Sequence, residues 1–501
     1  MSTRSPYHLT LHDNMAYKAQ KYLGDFVQCD DEQEKAAAIA DIKERLQPYA
    51  WHSLKELSMN HQGLLVFPKD ANSYVDDIED AFLYRLTYGN HIETGNLMGA
   101  FGVGGIDVDI GSRFDANADV SVEWNGSRHY FMHYLLQKVH GLHVVDLPTG
   151  AGADPLDEFC IFLFPVVLEG ALSKGLFKNY RRFDYNDANV KGAIDVARYL
   201  RTNVPFHGCI AYTTREHTAD NPVLQLVRHA IEFIKAGPYR EILTKASREI
   251  RDCVAQVIAA TPSYVRQHRL KVMSQNLRPV RHPYFSEYSL LQKLSLQILR
   301  HEKMSHGGSN DKLAGIVFDG AWLWEEYLNK VLASHDDICK LGIVHPRNKE
   351  KTGAIHVYHS EKSAGTSPIY PDFLLGPRDC ARQEWDVVLD AKYKRMYNEI
   401  NGGRDISRDD RYQMISYLHV TKARLGVFMC PTKEGIADLT ERPEKFLKGE
   451  LLGYGGEIAV VPFVIPKIGN TFMEFSRRMK AAENDFCLRL LSVLRHHQNN
   501  R

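Results

Sequence analysis

Two carboxylates and an amine stand close together in the C-terminal third of this chain. Asp372 follows a proline in IYPDFLL, residues 369–375, and Asp390 and Lys392 stand in WDVVLDAKYKR, residues 385–395. Val387, Val388 and Leu389 read as the core of a buried strand that runs out at Asp390. Strand periodicity puts Asp390, Lys392 and Lys394 on one face, with Ala391 and Tyr393 on the other. Asp372 enters from a neighbouring strand or turn, and the 18 residues from Asp372 to Asp390 leave room for two strands and a connection. The chemistry this suits is metal-assisted hydrolysis of a phosphodiester. Two aspartates offer the hard oxygen ligands that Mg²⁺ takes, and the Ala391 carbonyl between the working side chains is a further candidate ligand. The ion would polarise a phosphoryl oxygen and lower the pKa of a bound water. Lys392 would orient the nucleophile or neutralise charge in the transition state. Pro-Asp alone marks a turn, and Asp-x-Lys alone marks a solvated edge pair. The informative pattern is both in order around an apolar strand.

Two helices extend the set. In RDDRYQMISYLHV, residues 408–420, Asp410, Gln413 and Tyr417 fall on one helical face and Met414, Ile415 and Leu418 on another. Either this is an amphipathic helix with a polar outer face, or Gln413 and Tyr417 point back at the metal site or the scissile phosphate. Upstream, FDGAWLWEEYLNKVL, residues 318–332, reads as an aromatic-rich helix with Glu325 and Glu326 at its middle. One of the two could complete the carboxylate set, and Glu326 reads better as a surface residue.

The rest of the chain must position these residues. Its 501 residues suggest about three folding units. With 62 basic and 62 acidic residues it has no net charge, so any case for nucleic acid must be local. Helical periodicity is expected over 31–48, 77–88, 128–139, 157–178, 221–236 and 239–260, with Asn221-Pro222 opening the fifth. Leu290, Leu291, Leu294 and Ile298 mark another helix. Leu64–Phe67 reads as a short strand. NLMGAFGVGGIDVDI, residues 96–110, imitates a phosphate loop, but Gly105-Ile106 stands where Lys-Ser/Thr is required, and Asp107 where a dinucleotide fingerprint needs glycine. A hairpin, with glycines for turns or close backbone approach, is the better reading. His140 with His143, and His356 with His359, read as surface or core residues rather than metal ligands. The eight cysteines stand singly, without a CxxC pair. No apolar run reaches the ~18–20 residues of a membrane span, and MSTRSPYHLTLHDN has no signal-peptide core, so a cytoplasmic location is expected. HGGSND, residues 306–311, is the clearest linker.

Asp372 in its Pro-Asp pair, with Asp390 and Lys392 in Asp-x-Lys, resembles the PD-(D/E)xK nuclease superfamily. YPDFLL, LDAKYK and DRYQMISY, in that order, are similar to the McrC-like nuclease subunits of McrBC-type restriction systems. Trp324-Glu325 resembles that family's Phe-Glu on the preceding helix, which favours Glu325 over Glu326. Residues 93–115, ETGNLMGAFGVGGIDVDIGSRFD, resemble the β-rich segment ahead of the nuclease in such chains. Residues 185–234 resemble their central region. These two blocks look most like the McrC-like subunit of LlaJI-type restriction enzymes. The resemblance covers roughly residues 90–465. Ser112-Arg113 stands where McrC chains often show Pro-Lys.

The resemblance implies an α/β (α+β) chain. Its C-terminal PD-(D/E)xK restriction-endonuclease-like domain, 311–501, would have a mixed central sheet flanked by helices. A β-containing N-terminal region and a largely helical central region would precede it, with 91–305 docking to an AAA+ partner and 1–90 of unknown role. It implies a Mg²⁺-dependent endonuclease subunit acting on double-stranded DNA in a GTP-dependent McrBC/LlaJI-like restriction and phage-defence system. An McrB-like AAA+ GTPase subunit would bind the GTP and be stimulated by this chain. The catalytic set would be Glu325, Asp372, Asp390, Lys392, Gln413 and Tyr417, with Glu325, Asp372, Asp390 and Ala391 on the metal. Arg113, Lys191, Arg198 and Arg215 are candidate partner contacts or plain surface charges. The competing readings are a stand-alone DNA-repair nuclease on the same fold, and a non-catalytic GTPase-activating scaffold with a decayed site. Intact Asp372, Asp390 and Lys392 speak against decay.

Overall fold

The computed structural model describes residues 7–18, 23, 31–61, 63–67, 81–87, 91–115, 129–139, 155–304, 313–346, 355–357, 368–379, 384–396, 406–433, 446–452, 455–467 and 471–499. The HGGSND linker, His140, His143, His359 and residues 77–80 of an expected helix lie outside them. The chain forms two compact units, Gly152–Gly308 with Met1–Arg4, and Ser5–Ala151 joined to Ser309–Arg501. The break at Gly308/Ser309 falls in the linker expected at 306–311, but the break expected near 90 falls at Ala151/Gly152 instead, and the residues on the two sides of the helical unit form one body. The cause is a strand, Ala314–Asp319, that pairs antiparallel with Leu97–Val103 and parallel with Leu64–Phe67. The N-terminal residues therefore share one body with the residues expected to be a separate nuclease domain.

The discontinuous unit holds two five-stranded sheets. The first runs in the order Tyr7–His12, Ile106–Gly111, Leu97–Val103, Ala314–Asp319, Leu64–Phe67. Its core joins Leu9, Leu11, Phe101, Val108 and Val317 to Ile39, Ile42 and Leu46 of the Glu32–Leu46 helix. The glycine-rich segment is the expected hairpin. Gly104 and Gly105 both have positive φ, 56° and 76°, as a tight two-residue turn demands. Gly99 serves close approach, since a Cβ there would stand 2.1 Å from the Ile316 carbonyl oxygen. Tyr84–Thr87, expected to be helical, is instead a strand paired with His91–Thr94. Cross-strand pairing overrides a weak local periodicity there.

The second sheet runs Phe373–Asp379, Glu384–Ala391, Leu425–Lys433, Glu457–Ile465, Leu447–Glu450. Its three middle strands are parallel to one another and both edges are antiparallel, which makes it the mixed sheet expected. Both faces are covered, so the central strands read as continuous apolar runs. On one face Val388, Phe428 and Val460 meet Met414, Tyr417 and Leu418 of the Arg408–Thr421 helix. On the other, Phe463 meets Trp324 and Tyr327 of the Gly320–Ala333 helix and Phe486 of the Phe472–Asn499 helix. The expected helix over 318–332 starts two residues late because Phe318 belongs to a strand, and Asp319 caps the helix through the Ala321 and Trp322 N–H groups. Buried Glu483 ties three helices together. It accepts from Tyr134 Oη at 2.9 Å, Tyr327 Oη at 3.0 Å and Lys138 Nζ at 2.9 Å.

The other unit is mostly helical, with Pro155–Leu172, Pro222–Ala236, Arg248–Ala260 and Glu287–Met304 as its long helices. Asn221 caps the second, as its sequence predicts. The single helix expected over 239–260 is broken in two, because Ser247 begins a new one with its own side-chain cap. A three-stranded sheet of Asn179–Asp187, Ala193–Ile194 and Ile210–Thr218 completes the unit. No helix among the described residues is long and apolar enough to cross a membrane.

Candidate active site

The second sheet brings the predicted residues together at the C-terminal end of its Glu384–Ala391 strand. Phe373 pairs with Leu389 across the antiparallel register, so the residue before Phe373 arrives beside the residues after Leu389. Asp372 Oδ2 accepts the Ala391 N–H at 2.7 Å, which clamps the Pro-Asp turn to the end of that strand. Asp390 is buried, 1% exposed, and stands opposite Phe428 of the parallel neighbour. Lys392 donates its backbone N–H to the Met429 carbonyl, so it is held to the sheet just past the strand. Its Nζ lies 2.7 Å from Asp390 Oδ2, as strand alternation predicts.

The Arg408–Thr421 helix supplies the next partners. Lys392 Nζ donates to Gln413 Oε1 at 2.7 Å, Gln413 Nε2 to Tyr417 Oη at 2.9 Å, and Tyr417 Oη to the Tyr370 carbonyl at 3.2 Å. Gln413 and Tyr417 thus face the site rather than solvent, and Ile415, on the expected apolar face, is 37% exposed. Asp410 adds a contact the sequence did not disclose. It is buried, pairs with Lys394, and lies 4.0 Å from Lys392 Nζ.

Glu325 approaches from the Gly320–Ala333 helix. Trp324 beside it is fully buried and donates its indole N–H to the Met429 carbonyl at 3.3 Å, which seats the helix on the central strand. The Glu325 side chain is 17% exposed and that of Glu326 27%. His345 is the residue that sequence reasoning missed altogether. Its Nδ1 lies 2.8 Å from the Asp372 carbonyl oxygen, and its Nε2 lies 3.8 Å from Glu325 and 3.7 Å from Glu326. Its ring stacks on Phe373. The only sequence signal was a histidine closing the short apolar run Gly342-Ile343-Val344.

The electrostatics separate the roles. Burial, then the charges of Glu325 and Asp390, hold the Asp372 carboxyl well above the ordinary aspartate range, against the pull of Lys392 and the Ala391 N–H. Burial opposes the charge on Lys392, but Asp390, Asp372 and Asp410 overcome it and raise its pKa, so it stays an ammonium. Burial, Asp390 and Asp372 raise Tyr417, which stays a neutral phenol. Burial likewise works against protonated His345, and Glu326, the Asp372 carbonyl and Glu325 outweigh it. Glu325, Asp372 and Asp390 form an oxygen-only donor set of the kind a hard divalent cation takes. The residues fit such an ion in chemistry. In geometry they are gathered but not closed, since no group of three or more His, Cys, Asp or Glu side chains among the described residues forms a ready metal cluster.

The candidate docking cations divide. Lys191 and Arg215 are exposed. Arg113 is neither a surface charge nor placed for a partner: it is 6% exposed and faces Asp13. Arg198 is half-buried and donates to the carbonyls of Tyr185 and Tyr212 at 3.0 and 2.7 Å, pinning its helix to the three-stranded sheet.

Fold and site together describe a cluster of carboxylates and an ammonium at the end of a mixed sheet. The sequence model of the McrBC 5-methylcytosine restriction system component family matches residues 92–429, more than half of the chain. The chain belongs to that family. Among solved structures, it is similar to a half-complex of Thermococcus gammatolerans McrB AAA+ hexamers with bound McrC. That likeness has 16% identity and a TM-score of 0.43, over 95% of this chain and 99% of the other. A second likeness is to the T. gammatolerans McrBC complex, with 16% identity and a TM-score of 0.32, over 65% of this chain and 87% of the other. No curated protein sequence matches significantly.

Proposed function

We propose that this chain is the Mg²⁺-dependent DNA endonuclease subunit of a GTP-dependent McrBC-type restriction system. In this reading it works with an McrB-like AAA+ GTPase, whose turnover it stimulates, in the cytoplasm and against phage DNA. The observation that carries the reading is the join at the strand end. Asp390 and Lys392 lie side by side there, while Asp372 is tied to the amide between them. Family membership supports the restriction role and the McrB-like partner.

Glu325, Asp372, Asp390 and the Ala391 carbonyl would hold the ion. Magnesium, when bound, would supply Lewis acidity toward a phosphoryl oxygen. Asp390 and Gln413 hold the Lys392 ammonium in place, where it would neutralise charge on the pentavalent phosphorus centre. Tyr417 fixes the Gln413 amide. On the helical unit, Ile194, Val196, Leu200, Val204 and Phe206 are each more than half exposed, which supports docking to protein rather than to nucleic acid. The test is cleavage of double-stranded DNA by wild type and Asp390→Ala, with and without the GTPase partner, GTP and Mg²⁺. Cutting by wild type only in the complete mixture is expected. Equal cutting by the substituted chain would remove the catalytic assignment, and full cutting without partner or GTP would remove the restriction-complex reading.

A further inference from the structure

The residue after Lys392 turns the other way, and what meets it comes from the far end of the sequence. Tyr393 is 5% exposed. Its hydroxyl lies 2.6 Å from Ser112 Oγ and 3.4 Å from Met98 Sδ. Its carbonyl accepts from the Arg113 guanidinium, which also lies 4.9 Å over its ring. Phe114 packs edge-on against the same ring at 5.1 Å. Arg113 is itself anchored from behind. Its N–H donates to Asp13 Oδ1 at 2.6 Å, and Nη1 lies 3.6 Å from Asp13 Oδ2 and 3.4 Å from Asn96 Oδ1. Asp13 is fully buried.

The Tyr393 ring also reaches the other carboxylate-bearing element. A Cβ on Gly320 would stand 2.8 Å from Tyr393 Cε1, so the ring lies against the first turn of the helix that carries Glu325. One side chain thus touches both the segment that bears Lys392 and the helix that bears Glu325. The loop after the first sheet's Ile106–Gly111 strand grips it.

We propose that Arg113, with Ser112, is a positioning residue of the hydrolytic site: it fixes Tyr393 and, through it, the placement of Lys392 and Glu325. This rests on the nuclease reading above. The first sheet is then a working part of the site and not an appended module. The chemistry of arginine explains the choice of residue. A planar fork can serve the Tyr393 carbonyl, the Asp13 carboxylate and the aromatic face together, whereas a lysine ammonium is a single point. A displacement of about 1 Å in a positioned group can cost ~10²-fold in rate, so a grip of this kind has leverage on turnover without touching DNA.

The experiment uses the full chain with its GTPase partner, GTP and Mg²⁺, and compares wild type, Arg113→Lys and Ser112→Ala. Rates are taken per folded molecule, and amide hydrogen exchange is measured on the same proteins. The expectation for Arg113→Lys is a roughly 10-fold fall in kcat at unchanged KM for DNA. Faster exchange should be confined to the segments at 390–394 and 320–325. Ser112→Ala should shift both readouts the same way and less. A purely structural role would lower the folded fraction and leave kcat per folded molecule at the wild-type value, and that result overturns the proposal. If wild type does not cut DNA at all, the nuclease reading fails, and exchange alone decides the grip: no acceleration at 390–394 in Arg113→Lys overturns it.

Discussion

The two faces of one short segment, residues 390–393, are built on opposite principles. On one face Asp390 and Lys392 sit beside Asp372 and Glu325, and burial with the charges of Glu325 and Asp390 opposes ionisation of Asp372. On the other, Tyr393 is enclosed by Ser112, Arg113, Phe114 and Met98, with its hydroxyl, carbonyl and ring all engaged. The first face stores unfavourable charge that a cation would relieve. The second is closely packed and gives the first its fixed frame. A site that must hold repelling groups at set distances needs such backing, because the repelling groups cannot hold themselves.

The contrast predicts that substitutions on the two faces have opposite signatures. Asp390→Asn should lower Mg²⁺-dependent DNA cleavage at least ~10²-fold while leaving the melting temperature no lower than wild type, as read by single-turnover cleavage beside a thermal melt. Tyr393→Ala should do the reverse first. Truncating a fully packed aromatic costs about 3–5 kcal/mol, visible as an earlier denaturation midpoint. Unchanged stability there would remove the claim that this face is the frame.

Asp372→Asn sharpens the charged face. The folded-state pKa of Asp372 is raised, so its ionised form destabilises the fold as pH rises through that pKa, and the penalty is absent at low pH. Denaturation without divalent ions should therefore find Asp372→Asn more stable than wild type at neutral pH, with the gap closing as pH falls. Added Mg²⁺ should stabilise wild type more than the variant. A gap that grows toward low pH would contradict the raised pKa. Away from both faces, Glu483→Gln should cost about 2 kcal/mol, because it weakens three hydrogen bonds to a buried carboxylate. Tyr417→Phe should have the smallest effect, about 1 kcal/mol in denaturation and a few-fold in cleavage, from losing one hydroxyl between Gln413 and the Tyr370 carbonyl.

The charged face was legible in the sequence and the frame was not, for a physical reason. Asp390 and Lys392 are two apart on a strand, and Gln413 and Tyr417 are four apart on a helix, so local periodicity alone orients them. Asp372 was legible because an apolar strand follows it directly. Arg113 and Tyr393 meet across a sequence separation of 280, and Asp13 lies 100 residues before Arg113. No periodicity carries such pairings, and a charged residue gives no local sign that it is buried against a partner. The same applies to Ala314–Asp319, which joins a sheet whose other strands all precede residue 112 and so ties the residues after the expected linker to the N-terminal ones. His345 reaches the site through an isolated bridge, Val344 to Leu374, too short to leave a pattern.

The central claim is that the charged face cuts DNA. The most direct test compares Lys392→Met with wild type in the complete assembly with its GTPase partner, GTP and Mg²⁺, on one double-stranded substrate. The Lys392 ammonium contacts both Asp390 and Gln413, so its removal strikes the centre of that face. A loss of at least ~10²-fold in cleavage is expected, with the fold and assembly with the GTPase retained. Wild-type cleavage by a folded, partner-bound Lys392→Met chain would contradict it.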